Sequence, residues 1–369
     1  GRKPSLTLEL DSHTADAGLE TRIEAFLDIV SAYRNLVADK QLVARHASFN
    51  TAQTHLNNGR PQVIRSSGEV LDLQDNRVTM VFPSMGRLAT ECLTAMFQGK
   101  GFNAKALPPA GETELKIGRA NTSCKECLPL ILTTGSMLNY VYHHKQPGEV
   151  VVYFFAGGSG PCRFGQYSIF MQELIKRLQI EDVALLTLTS ENGYAGLDMD
   201  FQRRGWWAIV ISDVLEDIRS MLLVNAKDGK AALDIFEDEL DHLKAVLRRG
   251  DFNLLEERLT VSARRFRRIP LKMPASEVPT IFLAGEIFVR RDGLSRQYIT
   301  ERLAEQGFAT ICAPVSEWMR YADYLVETGE ADCRPTMMER LRFFLKTRFK
   351  SRYERRIKAI LAESGLVHA

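Results

Sequence analysis

The sequence predicts an α/β fold, with two to three βαβ units built on parallel sheets and a helical connecting region. Three stretches carry that prediction by repeating one plan: an apolar strand, a loop of small or polar residues, an amphipathic helix and a second strand. They are "RVTMVFPSMGRLATECLTAMFQGKGFNAKALP" from Arg77, "EVVVYFFAGGSGPCRFGQYSIFMQELIKRLQIEDVALLTLTS" from Glu149 and "PTIFLAGEIFVRRDGLSRQYITERLAEQGFATICAPV" from Pro279. Each strand is a short, continuous β-branched or aromatic run, as a sheet buried on both faces requires. Each helix places its apolar residues at the spacing of a single core-facing stripe. In such sheets the loops at the carboxyl ends of the strands carry ligands, and Cys162 falls in one of them.

The remaining elements follow in chain order. "LTLELDSHTADAGLETRIEAFLDIV" reads as a strand, a polar loop and a helix with Ile23, Phe26, Leu27 and Val30 on one face. "QVIRSSGEVLDLQDNRVTMVFP" reads as paired strands joined through Ser-Ser-Gly or through the later Asp-Asn turn. Thr122 and Ser123 are good N-caps for a helix through "LPLILTTGSMLNYVYHH", which places Cys124 and Cys127 together on its first turn, with Pro129 tolerated so near a start. Residues 198–268 read as all-helical, in three apolar-periodic stretches broken near Asp228 and Gly250, and the region from Thr336 reads as a final helix. Three domains are expected: 1–147, an α/β domain with the DSHTADAG loop and the CxxC helix; 148–275, a unit with the GPCR loop and the helical segment; and 276–369, a unit ending in a basic helix.

Composition narrows the function. The chain is 45% hydrophobic and 25% charged, as a globular protein is, and its 48 basic and 46 acidic residues leave a formal charge of +2. That balance gives no global attraction to nucleic acid or to an anionic membrane. The longest apolar runs, such as "EVVVYFFAGG" and "WWAIVISDVL", fall short of the roughly 20 residues that span a bilayer, so a cytoplasmic location is expected. The N-terminal stretch has no apolar signal core and enters structure abruptly, which suggests a piece of a longer polypeptide.

Six cysteines, at positions 92, 124, 127, 162, 312 and 333, are too few and too scattered for a disulfide scaffold. Reduced thiols and metal ligands remain as readings. Cys162 follows Gly157, Gly158, Gly160 and Pro161 at the opening of a helix. There the free backbone donors and the positive helix end favour a thiolate, the form that binds metal. Two such cysteine sites in loops that converge suit zinc, an iron-sulfur cluster or a redox pair, whereas buried small hydrophobes are the bland alternative. Cys92 and Cys312 sit within apolar helix and strand patterns and read as core.

"LELDSHTADAGLETRIEAF", "SCKECLPLILTTG", "GGSGPCRFGQY" and "FLAGEIFVR", in that order, resemble the large fused activase-like proteins of the 2-hydroxyacyl-CoA dehydratase and benzoyl-CoA reductase superfamily. The resemblance covers most of the chain, and it assigns the chain to part of the dehydratase-like region. It implies Rossmann-like or flavodoxin-like domains holding a [4Fe-4S] or related cluster through cysteine thiolates, with a low-potential electron delivered by an ATP-hydrolysing activator. Cys127 matches the family's Glu-Cys-aromatic-Pro motif, although Leu128 stands where the aromatic residue is usual, and Cys162 matches the cysteine of Gly-Pro-Cys-Arg. A third ligand falls to Cys333 in "GEADCRPTMMERL", or to Cys124 through local CxxC geometry. The implied partners are ATPase or activase modules of the same polypeptide, and a homodimer.

Other residues have two readings each. Asp11, His13 and Asp16 bring acid/base or ligand chemistry to one loop, or form a capped turn, and the turn is the simpler reading. Glu286 faces a crevice and pairs with Arg290 or Arg291, or fixes domain packing. Arg163 beside Cys162 neutralises a thiolate or cluster charge. "GGSGP" resembles a phosphate-cradling loop but lacks Walker A and the full dinucleotide fingerprint. His143 and His144 read as a solvated helix end, and Trp206 and Trp207 as core. The last helix sets nine Lys or Arg among Phe343, Phe344, Phe349 and Tyr353, which reads as a solvated basic face before it reads as a nucleic-acid surface.

The expected function is therefore an iron-sulfur module of an ATP-driven, anaerobic electron-transfer system, a reductase or dehydratase-like component. The alternative is a metal-free structural and interaction domain of a larger polypeptide.

Overall fold

The computed structural model describes residues 49–57, 60–123, 125–157, 162–189, 199–328 and 337–368, together with helical positions between 23 and 34. Among the latter, Ile23 and Leu27 are exposed and Phe26 and Val30 half-buried, so the apolar stripe expected there forms a helix without entering the core. Asp11, His13, Asp16, Cys124 and Cys333 lie outside the described residues.

The first sheet is antiparallel, β1 (Gln53–Asn57), β2 (Arg60–Ile64) and β3 (Val70–Asp72), in that order. Of the two turns the sequence allows, β2 and β3 are joined by Ser66-Ser67-Gly68. Gly68 adopts φ 90°, a conformation that disfavours any side chain, and its N–H donates to the Arg65 carbonyl at 2.9 Å. Asp182, at the start of the next sheet's edge strand, accepts from the Arg65 guanidinium at 2.6 Å and from the Ser66 N–H at 3.1 Å, which fixes this sheet on its neighbour.

The neighbour is a four-stranded parallel sheet, order β5-β4-β6-β7, made of β4 (Val78–Phe82), β5 (Ala104–Ala106), β6 (Val150–Gly157) and β7 (Val183–Thr189). β4 is buried along its whole length, as the continuous apolar run predicts. The first two βαβ units share this sheet, because β4 pairs directly with β6, so the expected division at 147/148 falls between two strands of one layer. The crossover helix α1 (Arg87–Gly99) joins β4 to β5. α2 (Glu112–Asn121) and α3 (Leu128–His143) then lead back to β6, and α4 (Tyr167–Leu178) joins β6 to β7.

α2 and α3 cross at two glycines. A Cβ on Gly118 would lie 2.1 Å from the Ile131 carbonyl oxygen, and one on Gly135 would lie 1.8 Å from that of Glu114. Backbone meets backbone here, so no side chain can be added at either position without moving α3.

The region expected to be all-helical is α5 (Met199–Asn225), α6 (Gly229–Arg249) and α7 (Phe252–Arg267). The breaks fall where the sequence places them. Asp228 caps α6 by accepting the Ala231 N–H at 2.9 Å, Gly250 ends it at φ 69°, and Asp251 caps α7 by accepting the Asn253 N–H at 2.8 Å. Trp206 and Trp207 are core, 2% and 1% exposed, in a cluster that also takes Ile357, Ile360 and Leu361 from the last helix, α10 (Met337–Ala362).

The third unit is a two-stranded parallel sheet, β8 (Thr280–Leu283) and β9 (Ala309–Cys312), followed by α9 (Val315–Thr328). Its crossover is mostly turn, with only a short helix α8 (Ile299–Glu305). The helix cannot begin earlier, because Gln297 and Tyr298 take positive φ and Asp292 binds the Ser295 N–H and hydroxyl. The third unit seats on α5 through buried polar groups. Asp213 accepts from Arg291 at 2.8 Å and from the Val315 and Ser316 N–H groups at 2.9 and 3.0 Å. Asp217 accepts from the Cys312 N–H at 3.2 Å, and the Ser220 hydroxyl accepts from the Thr310 N–H at 2.7 Å.

Burial raises the Asp217 carboxyl to about 7, against the opposing pull of the Cys312 N–H and Arg291 and with the support of Asp213 and Glu216. A carboxyl protonated in the folded state favours folding at acid pH, and that contribution is withdrawn as pH rises from about 4 to about 7. Urea unfolding should therefore show Asp217→Asn gaining on the parent by on the order of 2–4 kcal/mol between pH 4 and pH 8. A constant difference across that range would disprove the protonated state. Gly135→Ala should lower stability by about 1–3 kcal/mol or more through displacement of α3, read as a fall in the urea midpoint.

Candidate functional site

Helices of a βαβ layer run antiparallel to their strands, so the N-termini of α3 and of the segment preceding α4 both lie at the carboxyl edge of the parallel sheet. Each of these N-termini carries a cysteine. Cys127 is the residue before α3, in extended conformation, and its carbonyl accepts the Leu130 N–H at 3.0 Å. Cys162 holds the same position before a 3-10 turn, Arg163–Gln166, that continues into α4. The expected placement of Cys127 inside the first turn is corrected: α2 runs to Asn121 with Thr122 closing it, and α3 starts at Leu128. Pro129 is the reason. It has no N–H to give a carbonyl four residues earlier, so the helix cannot extend back to Ser123. Ser123 instead donates to the Glu126 carboxylate at 2.9 Å.

The two cysteine loops are tied together. Arg163 donates Nη1 to the Lys125 carbonyl at 3.2 Å, and Arg177 of α4 donates to the Asn121 carbonyl at 3.0 Å. Arg163 thus holds the backbone of the facing loop with one nitrogen while its charge lies beside Cys162. Between the loops opens a cleft of about 270 Å³ bordered by Lys125, Glu126, Cys127, Arg163, Tyr167 and Phe170. Cys127 is half-buried and Cys162 exposed.

Tyr167 bonds the first of the two thiols. It is buried to 5% exposure, and its hydroxyl meets the Cys127 sulfur in a short hydrogen bond. Burial first, then the Cys127 contact and the charges of Cys162 and Glu286, hold the phenol far above its ordinary pKa, so it is a proton donor to whatever anion forms at Cys127. Its position was not read from the sequence, because an aromatic residue five places after a cysteine has no signature. The contact spans 40 residues and depends on the sheet to form.

Glu286 acts on this site at longer range. It is exposed, accepts the Val289 N–H at 2.8 Å, and makes no ion pair with Arg290 or Arg291. Arg290 instead donates to the Gly285 and Pro314 carbonyls, and Arg291 to Asp213. Phe288, two residues on, packs with Ala110 and Leu132, so the third unit's loop lies against α3. His143 ends α3 exposed to solvent, as expected. Cys92 and Cys312 are core: burial pushes the Cys92 thiol up to about 12, and Cys312 donates to the Arg290 carbonyl at 3.3 Å.

Asp238, Glu239 and His242 on α6 also bring ligand atoms close together. Glu239 is fully buried and is taken up by Arg258, Arg265 and the Ser262 hydroxyl, the last at 2.5 Å. A cation there would have to displace two guanidinium groups from a buried carboxylate, and the cluster is better described as the ion-paired joint between α6 and α7.

No helix among the described residues is long and apolar enough to cross a membrane. No family model, curated protein or solved structure matches the chain.

Thiol accessibility follows from this geometry. In native protein at pH 8, iodoacetamide labelling read by peptide mapping should reach Cys162 at least tenfold faster than Cys92 or Cys312 (roughly, from thiolate fraction and exposure). Equal labelling of Cys92 before unfolding would contradict its buried position.

Proposed function

We propose that this chain is an iron-sulfur cluster-binding module of an ATP-driven electron-transfer system related to the 2-hydroxyacyl-CoA dehydratases and their activators. It would work in the cytoplasm beside ATPase modules of the same larger polypeptide, with a second copy as a possible partner. The observation that carries this reading is the pairing of Cys127 and Cys162, each at the start of a helical segment on one sheet edge and both within electrostatic reach of one buried tyrosine.

The donor set fits such a group. Both thiols stand at the residue before a helical segment, where backbone N–H groups could donate to a ligand sulfur. Lys125 and Arg163 add cationic charge, and the cleft between the loops is large enough to admit more than a single ion. Cys127 and Cys162 would hold the cluster, with Cys333 or Cys124 completing the ligand set. A bound cluster supplies one-electron transfer at low potential. The chain's own residues then have distinct tasks: Leu130 and Phe170 limit water on the apolar side, Tyr167 donates to the Cys127 sulfur, and Arg163 keeps the two ligand loops in register.

The deciding measurement is iron, acid-labile sulfide and zinc in anaerobically purified and reconstituted protein. Iron and sulfide in stoichiometric amounts, lost in both Cys127→Ala and Cys162→Ala, are expected. Metal-free, colourless protein unchanged by either substitution would leave a structural and interaction domain. Tyr167→Phe should keep the cluster but lower its reduction potential by roughly 40 mV, because a hydrogen bond worth about 1 kcal/mol to a ligand sulfur stabilises the more negative, reduced form. An unchanged potential would remove Tyr167 from that role.

A further inference from the structure

The two cysteine loops at the sheet edge are anchored on one apolar body. Cys127 packs against the cluster shared by α3, β6 and α4, and so does Phe164, two residues after Cys162. The Phe164 ring meets those of Tyr167 and Phe155 at centroid distances of 5.5 and 5.8 Å, and the Tyr167 hydroxyl bonds the Cys127 sulfur. Across this patch Arg163 donates to the Lys125 carbonyl at 3.2 Å, which ties the residue after Cys162 to the residue two before Cys127. The charges of both sulfurs act on the one Tyr167 hydroxyl.

Exposure divides the described cysteines into three grades. Cys162 is exposed, Cys127 is half-buried at the border of an open cleft, and Cys92 and Cys312 are buried. A small oxidant in solution therefore meets Cys162 first and the two core thiols last. Loops that are already docked on each other lose little chain entropy when their side chains are joined. A thiol on one loop is thus at high effective concentration for a sulfur on the other, and competes well against a free small thiol.

We propose that Cys162 and Cys127 are an attacking and a resolving thiol, which close as a reversible disulfide in metal-free protein when a low-molecular-weight disulfide is present. In the first exchange the Cys162 sulfur, as its anion, attacks one sulfur of the small disulfide. That S–S bond breaks and one small thiolate leaves. In the second exchange the Cys127 sulfur attacks the Cys162 sulfur of the mixed disulfide, and the other small thiolate leaves. Two protein thiols have then given up two electrons and two protons, and one small disulfide has become two thiols. Joining the pair takes both sulfurs away from any metal, so the bond acts as a switch on the site. The switch rests on the cluster reading; the bond itself does not.

The test uses the full chain, stripped of metal by a chelator and held in glutathione buffers of set oxidised-to-reduced ratio. Samples are quenched in acid, alkylated and mapped by mass spectrometry. A peptide pair joined through Cys127 and Cys162, and released by dithiothreitol, is expected. Cys127→Ser should stop at a glutathione adduct on Cys162, and Cys162→Ser should slow the oxidation of Cys127 roughly tenfold. Glutathione adducts with no linked pair overturn the proposal, and so does a bond that joins Cys124 to Cys127, or Cys162 to Cys124 or Cys333. The iron and sulfide assay stands apart from this result. A linked pair in protein that never takes up iron keeps the disulfide and loses the cluster, whereas protein that loads iron but forms no linked pair once stripped does the reverse.

Discussion

The need to bury α5 on every side is the constraint on which the rest of the fold depends. A helix carrying "GWWAIVISDVLEDIRSMLLVN" has no face that water can accept cheaply, so each of its sides requires a partner. α1, α6 and α10 supply the apolar ones, through the cluster that joins Leu88 and Cys92 to Trp207, Phe236 and Ile357. The last side is not apolar. Asp213, Asp217 and Ser220, at i, i+4 and i+7, form a polar stripe, and buried polar groups must find hydrogen bonds. The third unit satisfies them with the N–H groups of Thr310, Cys312, Val315 and Ser316 and with the Arg291 guanidinium. The backbone edge of β9 that faces away from β8 is closed by the same contacts, so one stripe both orients the unit and protects its strand.

That orientation reaches the cysteine cleft. Arg291 packs its Cβ against Gly86, at 3.1 Å from where a Cβ would stand, and Gly86 holds φ 108° in the loop after β4. One buried side chain therefore touches the parallel sheet's loop, α5 and the third unit. A buried ion pair such as Arg291 with Asp213 is weak evidence for net stability, because both charges lose water. Its geometry nonetheless admits only one arrangement of the three bodies. Five residues before Arg291, Glu286 contributes to the potential at Tyr167, and Phe288 packs beside Leu132 on α3. With α3 seated by the Gly118–Gly135 crossing, the thiols stand on packed helices and a sheet edge.

Local pattern made much of this legible. Continuous β-branched runs marked all three parallel units, Asp228 and Gly250 marked the helix breaks, and the apolar settings of Cys92 and Cys312 marked them as core. What escaped was non-local or a competition between neighbours. That β4 pairs with β6, uniting two units in one sheet, is a contact between strands some seventy residues apart and leaves no trace in either strand's own sequence. The start of α3 was misplaced because Thr122 and Ser123 have good capping chemistry, yet Pro129 denies the helix the donor it would need to reach them. Tyr167 escaped for a third reason: its hydroxyl matters only once β6 has brought α4 beside α3.

The two clusters of potential ligand atoms show why residue type alone is a poor guide to a metal site. At Glu239 the ligand atoms are close, but the carboxylate is already satisfied by Arg258, Arg265 and Ser262, and what is buried is a completed network. At the cysteine cleft the balance runs the other way. Glu126, on the border of the cleft, accepts from the Ser123 hydroxyl and the Lys125 N–H, and Lys125 and Arg163 border the same cleft beside Cys127. Two cations beside one carboxylate that is already hydrogen-bonded would suit a sulfur anion held there. The protonated phenol of Tyr167 supplies the hydrogen bond such a sulfur anion would accept. Glu239 is thus spent on its own network, whereas the Cys127 sulfur meets the Tyr167 hydroxyl at the border of an open cleft.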